Sequence, residues 1–132
     1  WLVGSWKGMY DGKPFYEAWR QPHDSVLINY SIEIKETDTI IQRVGTIHLR
    51  GQGIFLGTDS IYWKLSTLSG EEIIFKNDTL PYSRIIYWKH TPEDHWYTKL
   101  THPGGKISEY DLVKQAELDN YVTEFINNNQ QK

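Results

Sequence analysis

The segment TIIQRVGTIHLRGQGIFLG, residues 39–57, carries the strongest strand signal in the chain. β-branched residues dominate its first nine positions, and such side chains pack well on a pleated sheet. The Gly-Gln-Gly sequence at residues 51–53 marks a turn, and a second apolar run begins at Ile54. We therefore predict two antiparallel strands joined by a tight connection.

The same succession of short strands and turns extends outward from this pair. The predicted strands cover residues 6–10, 15–20, 26–35, 39–50, 54–57, 61–67, 71–76, 83–89, 96–101 and 106–114. Connections this short make neighbouring strands antiparallel, and no helical pattern separates them. About ten regularly spaced strands predict an all-β sandwich or barrel rather than parallel strands joined by crossover helices.

The apolar period changes at Gln115, after the last predicted strand. Apolar residues then recur at helical spacing, at Leu118, Tyr121, Val122, Phe125 and Ile126. This pattern predicts one α-helix over residues 115–128 and a frayed polar tail over 129–132. We expect the apolar stripe to pack on the outside of the barrel, because so short a helix needs tertiary support. A homodimer contact is the alternative.

The amino-acid composition limits the classes to which this protein can belong. The 132 residues fit one domain, and 39% hydrophobic with 23% charged residues indicates a folded chain. A net charge of −3 argues against nucleic-acid binding, and no apolar run predicts a transmembrane segment. The absence of Cys excludes disulfides within the chain. The chain starts at Trp1, which a removed leader or a shortened chain would explain, and we favour export (periplasmic or surface-anchored) over a cytoplasmic location.

Four segments carry a family resemblance: Trp1-Leu2-x-Gly4-x-Trp6, Glu17-x-Trp19, Phe75-x-Asn77 and Arg84-Ile85-Ile86-Tyr87. Together they resemble an uncharacterised bacterial family of lipocalin-like, calycin-type β-barrel domains, over residues 1–114. The resemblance implies an antiparallel lipocalin-like barrel in which Trp6 plugs one end. It also implies that Lys114 lies across the Trp6 ring. The function of that family is unassigned.

The sequence departs from that family at three places. Its members usually carry a His-Asp pair in the loop after Phe-x-Asn, whereas residues 78–82 form a shorter loop without His. They usually place Glu in the fourth strand where this chain has Arg43, and they end the last strand with Arg near the position of Lys114. Any activity that depends on the His-Asp pair is therefore not expected here.

Glu17 is the candidate polar anchor of a ligand pocket. Phe15, Glu17 and Trp19 share one face of a strand, so Glu17 points inward if the two aromatic residues do. A buried carboxylate must be paired or protonated, and Arg43 and Arg84 are the candidate partners. The alternatives are a purely structural ion pair, or a Glu17 that faces water.

Aromatic residues, 14% of the chain, supply the rest of the predicted pocket. Trp63, Trp88 and Trp96 lie on three different strands, where their rings either line a cavity or fill the barrel completely. The predicted ligand-binding residues are Tyr10, Glu17, Trp19, Arg43, Trp63, Arg84, Trp88 and Trp96. Trp6 and Lys114 are predicted to form the structural plug.

Motifs for catalysis, metals and cofactors are missing from the sequence. There is no nucleophile elbow and no phosphate-binding glycine loop. Glu109 and Asp111 alternate with apolar residues on the last strand, so one of them could face inward beside Glu17 as an acid/base pair. His48 and His95 are the candidate haem ligands, but no haem motif surrounds them. We predict no cofactor and no metal.

We accordingly expect a single domain that binds a small hydrophobic or amphipathic ligand without catalysing its conversion. Two alternatives remain at this point. One is an enzyme that acts on a small ligand in the same cavity. The other is a structural or interaction domain whose barrel is filled and holds no ligand.

Overall fold

The computed structural model describes residues 1–36, 38–58 and 60–130, so the predicted turn residues Thr37 and Asp59 and the tail residues 131–132 lie outside the described residues. Within those ranges ten strands are followed by a helix. The strands are β1 Gly4–Tyr10, β2 Lys13–His23, β3 Val26–Lys35, β4 Asp38–Arg50, β5 Gly53–Gly57, β6 Tyr62–Leu68, β7 Glu72–Lys76, β8 Ile85–Thr91, β9 His95–Thr101 and β10 Ile107–Lys114. After a 3-10 turn at Ala116–Leu118, helix α1 runs over Asp119–Gln130.

The strands form one closed barrel in which every described pairing is antiparallel. Each strand pairs with its neighbours in sequence, and β1 pairs with β10 to close the barrel, with Trp6 opposite Lys114. The prediction of an antiparallel barrel with a C-terminal helix is therefore confirmed, and the sandwich is ruled out. Closure removes the exposed sheet edges that a sandwich would have to protect.

Two apolar clusters lie on the two sides of the barrel wall. The larger one fills much of the interior and is built around Trp6, Trp19, Phe75, Trp88 and Trp96. The smaller one lies outside, where helix α1 covers β2, β3 and β4. Its members include Ala18, Tyr30, Ile32, Leu118 and Val122.

The helix packs on the outside of the barrel, as the apolar stripe predicts. Leu118 and Val122 are buried there, and Phe125 and Ile126 pack against the same cluster. Tyr121 is a correction, because it is half exposed and not buried with the rest of the stripe. It lies at the edge of the helix contact, where it borders a shallow pocket with Ile41 of β4 and Phe125.

Two strands differ from their predicted form because of irregular pairing. Strand β2 continues through Pro22 to His23, although Pro22 was expected to end it; the register shifts between Arg20 and His23, so a proline without an N–H is tolerated there. In β4, alternation predicts that Arg43 shares a face with Ile47. A bulge opposite Asn29 and Tyr30 instead places Arg43 and Ile47 on opposite faces of the strand.

Candidate functional site

A cavity of about 330 Å³ opens inside the barrel, near the connection that joins β5 to β6. We call it the Glu17 cavity. Its wall comes from eight strands and is lined by Glu17, Trp19, Asn29, Val44, Gly45, Leu56, Gly57, Thr58, Ile61, Trp63, Trp88, Trp96 and Tyr110. Its volume lies at the lower end of the range for pockets that hold small organic ligands.

Glu17 enters this cavity because β2 alternates strictly at that point. Its neighbours Tyr16 and Ala18 contact the outer cluster beneath helix α1, while Phe15 and Trp19 belong to the interior. The inward direction that the sequence predicts for Glu17 is therefore the direction observed. Burial raises the pKa of the Glu17 carboxyl to about 7, and a hydrogen bond from Trp19 opposes the shift.

Glu17 makes few polar contacts with the rest of the protein. Its Oε1 accepts one long hydrogen bond, 3.4 Å from Trp19 Nε1. No ion pair to Glu17 is found within the described part of the chain, where the salt bridges join Arg20 to Asp119 and Lys35 to Glu33. The carboxyl group therefore keeps most of its hydrogen-bonding capacity for something else in the cavity.

Other polar atoms around the cavity also lack partners. Asn29 Nδ2 and Trp96 Nε1, both on lining residues, are buried without a hydrogen bond to any described protein atom. Buried polar groups in proteins are nearly always bonded. A concentration of free donors around one cavity is the pattern expected where a bound molecule supplies the missing partners.

The aromatic walls of the cavity are held in place by packing against one another. Trp88 contacts Trp96 at 4.9 Å and Trp19 at 5.9 Å between ring centroids, in edge-to-face geometry. Trp63 donates its indole N–H to the carbonyl of Ser83, in the loop before β8. Tyr110 packs edge-on against Phe15 at 5.2 Å. These contacts fix the shape of the cavity before any ligand enters.

The structure brings five of the eight predicted ligand-binding residues into this cavity: Glu17, Trp19, Trp63, Trp88 and Trp96. Tyr10 is half exposed at the rim, where it touches Tyr110. Arg43 and Arg84 are corrections as partners of Glu17. Arg43 is exposed, since the β4 bulge turns it outward, and Arg84 Nε instead donates to Leu80 O at 2.7 Å.

The sequence analysis missed eight of the described lining residues, among them Asn29, Leu56 and Tyr110. Alternation along β10 could have indicated Tyr110, because it points inward while its neighbours Glu109 and Asp111 are exposed. The proposed acid/base pair of Glu17 with Glu109 or Asp111 is therefore wrong. No sequence pattern indicates that Asn29 and Leu56 line the cavity, because only the barrel defines the register of their strands.

The opposite end of the barrel, which we call the Trp6 end, is built around the predicted plug. Trp6 is fully buried, and its indole N–H donates to Leu2 O at 2.8 Å. Lys114 Nζ lies 4.4 Å from the centroid of the Trp6 ring and donates to Val3 O at 2.6 Å. Gly4 allows this approach, because a Cβ there would lie 2.6 Å from Lys114 Nζ.

A second interior cavity, of about 310 Å³, lies beside the Trp6 end. It is lined almost wholly by apolar side chains, including Trp1, Leu27, Leu68 and Ile73, and Gln21 is its one polar side chain among the described residues. Phe75, which lines this second cavity, contacts Trp88 of the Glu17 cavity at 5.4 Å. The Glu17 cavity and this second cavity therefore differ in chemistry.

Comparison with protein-family models, with curated protein sequences and with solved structures found no match for this chain. Among the described residues no helix is long and apolar enough to cross a membrane. In the same part of the chain, no three His, Asp or Glu side chains come close enough together to hold a metal ion. Function must therefore be argued from the geometry of the cavities.

Proposed function

We propose that this protein binds a small hydrophobic or amphipathic molecule in the Glu17 cavity, without converting it. The observation that carries the proposal is the combination of an aromatic cavity of about 330 Å³ with buried polar atoms that have no protein partner. Binding sites for small molecules combine an apolar lining with a few polar groups that orient the ligand.

The polar groups of the cavity suit orientation of a ligand better than chemistry on it. Glu17 is the one carboxyl group among the described lining residues, and the acidic residues of β10 face outward. General acid–base catalysis usually needs a second group within reach of the reacting atom. A filled barrel with no ligand is disfavoured by the volume of the cavity.

The proposal is tested by calorimetric titration with tryptophol, a neutral indole alcohol that combines an aromatic body with one hydroxyl group. We expect one molecule to bind per chain. Leu56→Trp, which fills the cavity from β5, should abolish binding, and Ile61→Trp should narrow the mouth and weaken it. Leu49→Trp is the matched control, because Leu49 is exposed and lines a different surface.

Circular dichroism of each variant establishes that it folds, since an added ring in a packed interior costs about 1–3 kcal/mol. Binding that survives both Leu56→Trp and Ile61→Trp in folded protein would place the ligand elsewhere. No measurable heat with the unaltered protein, at tryptophol concentrations up to its solubility, would contradict the proposal.

A further inference from the structure

The geometry points to an organic cation as the preferred occupant: a molecule with an aromatic or aliphatic body whose protonated amine pairs with Glu17. This inference rests on the proposed function, because it requires a ligand inside the barrel. It goes further by assigning the sign of the ligand's charge and the residue that recognises it.

The first argument is the distribution of charge around the cavity. Among the described lining residues Glu17 is the one acidic side chain, and none is Lys, Arg or His. A buried charge is costly unless it is paired, so a carboxylate ligand would add a second uncompensated negative charge beside the first. An ammonium group instead supplies the ion-pair partner that Glu17 lacks among the described residues.

The second argument is the aromatic wall next to that carboxyl group. Trp19 Nε1 lies 3.4 Å from Glu17 Oε1, so this indole meets the carboxyl group with its N–H edge. Trp63, Trp88 and Tyr110 complete the wall. A ligand whose ammonium group reaches Glu17 would lay its apolar body against these rings, and any ring face that the ammonium group meets would add a cation–π attraction.

The third argument concerns the remaining donor, Asn29 Nδ2. Asn29 pairs with Trp19 across β2 and β3, one strand from Glu17, and both residues line the cavity. The free N–H group of Asn29 requires an acceptor. A ligand that carries a hydroxyl, ether or carbonyl oxygen as well as its amine would satisfy both groups.

Binding of a cation should be linked to the protonation of Glu17. Burial raises the pKa of Glu17 to about 7, so the carboxyl group of the free protein holds its proton below that pH. A cation favours the ionised form, so its binding below pH 7 releases the proton, and affinity falls as the pH is lowered.

Among the described lining residues, Tyr110 is the one titratable side chain besides Glu17. Tyr110 on β10 is held protonated, because burial and the negative charge of Glu17 both raise its pKa. Trp6 and Ser31 lie opposite Glu17 on β1 and β3, and β3 and β9 present Asn29 and Trp96 to the cavity. Tyr10, at the rim on β1, is the remaining ionisable side chain nearby, through its contact with Tyr110.

The test uses three indole compounds of matched size: tryptamine, tryptophol and indole-3-propionate. At pH 8 we expect tryptamine to bind at least tenfold more tightly than tryptophol, and indole-3-propionate to bind most weakly. Between pH 8 and pH 6 the affinity for tryptamine should fall about tenfold, as expected for a group that titrates near pH 7, whereas that for tryptophol should stay constant.

Glu17→Gln should reduce the tryptamine preference to less than threefold, while Glu17→Asp, which keeps the charge, should retain part of it. Glu109→Gln, on the outer face of β10, is the matched control and should leave the preference unchanged. The inference is overturned if tryptophol binds and tryptamine binds no more tightly, or if the preference survives in folded Glu17→Gln. If none of the three compounds binds, the proposed function fails together with it.

Discussion

The Trp6 end and the Glu17 cavity belong to one barrel but treat their central polar groups differently. At the Trp6 end, the indole N–H of Trp6 and the ammonium group of Lys114 both donate to backbone carbonyls, although His90 Nε2, in the ring stacked on Trp1, is buried without a described partner. Around the Glu17 cavity, a carboxyl group has one long hydrogen bond and two buried donors on the lining residues have none. The first arrangement stabilises the fold, and the second leaves groups free for a ligand.

Truncating a tryptophan in each region should give the largest contrast. Trp6→Ala should lower the free energy of unfolding by about 4 kcal/mol, because it removes a fully buried ring and leaves a void. Trp63→Ala removes a partly exposed ring that lines an existing cavity, and should cost about 2 kcal/mol or less. Urea denaturation of both variants measures the difference, and equal losses would show that Trp6 has no special role in the plug.

Removing the charge of Glu17 should change how stability depends on pH. The pKa of Glu17 is raised in the folded protein from 4.5 to about 7, so the folded state keeps a proton that the unfolded state loses. Stability of the unaltered protein therefore falls as the pH rises through this window, by up to about 3 kcal/mol.

Glu17→Gln does not titrate, so its advantage over the unaltered protein should grow between pH 4 and pH 8. Thermal unfolding at the two pH values measures this. Glu109→Gln, whose carboxyl group is exposed, should show no such growth. An equal effect of Glu17→Gln at pH 4 and pH 8 would mean that the Glu17 carboxyl is not desolvated.

The approach of Lys114 to Trp6 should depend on Gly4. Gly4 has a φ of 129°, a conformation that side chains rarely adopt, and an added methyl group would meet Lys114. Gly4→Ala should therefore cost about 2 kcal/mol. Gly70→Ala has open space and is the control, with a change expected within about 0.5 kcal/mol. Similar stabilities of the two variants in urea would show that Gly4 is not required.

The smallest expected difference in stability between the two kinds of polar group comes from two fully buried hydroxyl groups. Ser5 Oγ donates to Asp119 Oδ1 at 2.5 Å, whereas Thr98 Oγ1 has no partner of good geometry, although it lies near enough to the Tyr110 hydroxyl to oppose the rise of its pKa. Ser5→Ala should therefore lower the free energy of unfolding by about 1 kcal/mol, while Thr98→Val should leave it unchanged or raise it slightly. A loss of the same size in Thr98→Val, measured in urea, would reveal a hydrogen bond made by Thr98.

Local patterns in the sequence predicted the strands well because strands obey local rules, whereas the choice of a barrel over a sandwich came from the family resemblance. Residues 26–35 were predicted as a strand and form β3 with the same bounds, since β-branched residues and the turns beside them are local signals. The inward direction of Glu17 also followed from alternation alone. The helix stripe predicted the packing of Leu118 and Val122 for the same reason.

The failures occur where the barrel as a whole decides the geometry. The bulge in β4 moves Arg43 outward while Ile47 stays inside, and no local pattern indicates the bulge. Asn29 lines the cavity because β3 pairs with β2 and β4 in a particular register, and only the closed barrel defines that register. The sequence analysis expected an arginine to pair with Glu17. In the structure, burial and not a positive charge determines the pKa of the Glu17 carboxyl group.

The most direct test of the central claim is nuclear magnetic resonance of the six indole N–H groups, assigned with single Trp→Phe variants, during titration with tryptophol. Binding in the Glu17 cavity predicts the largest shifts for Trp19, Trp63, Trp88 and Trp96, and the smallest for Trp1 and Trp6. Shifts led by Trp1 would place the ligand in the second cavity, and unchanged signals at saturation would contradict binding inside the barrel.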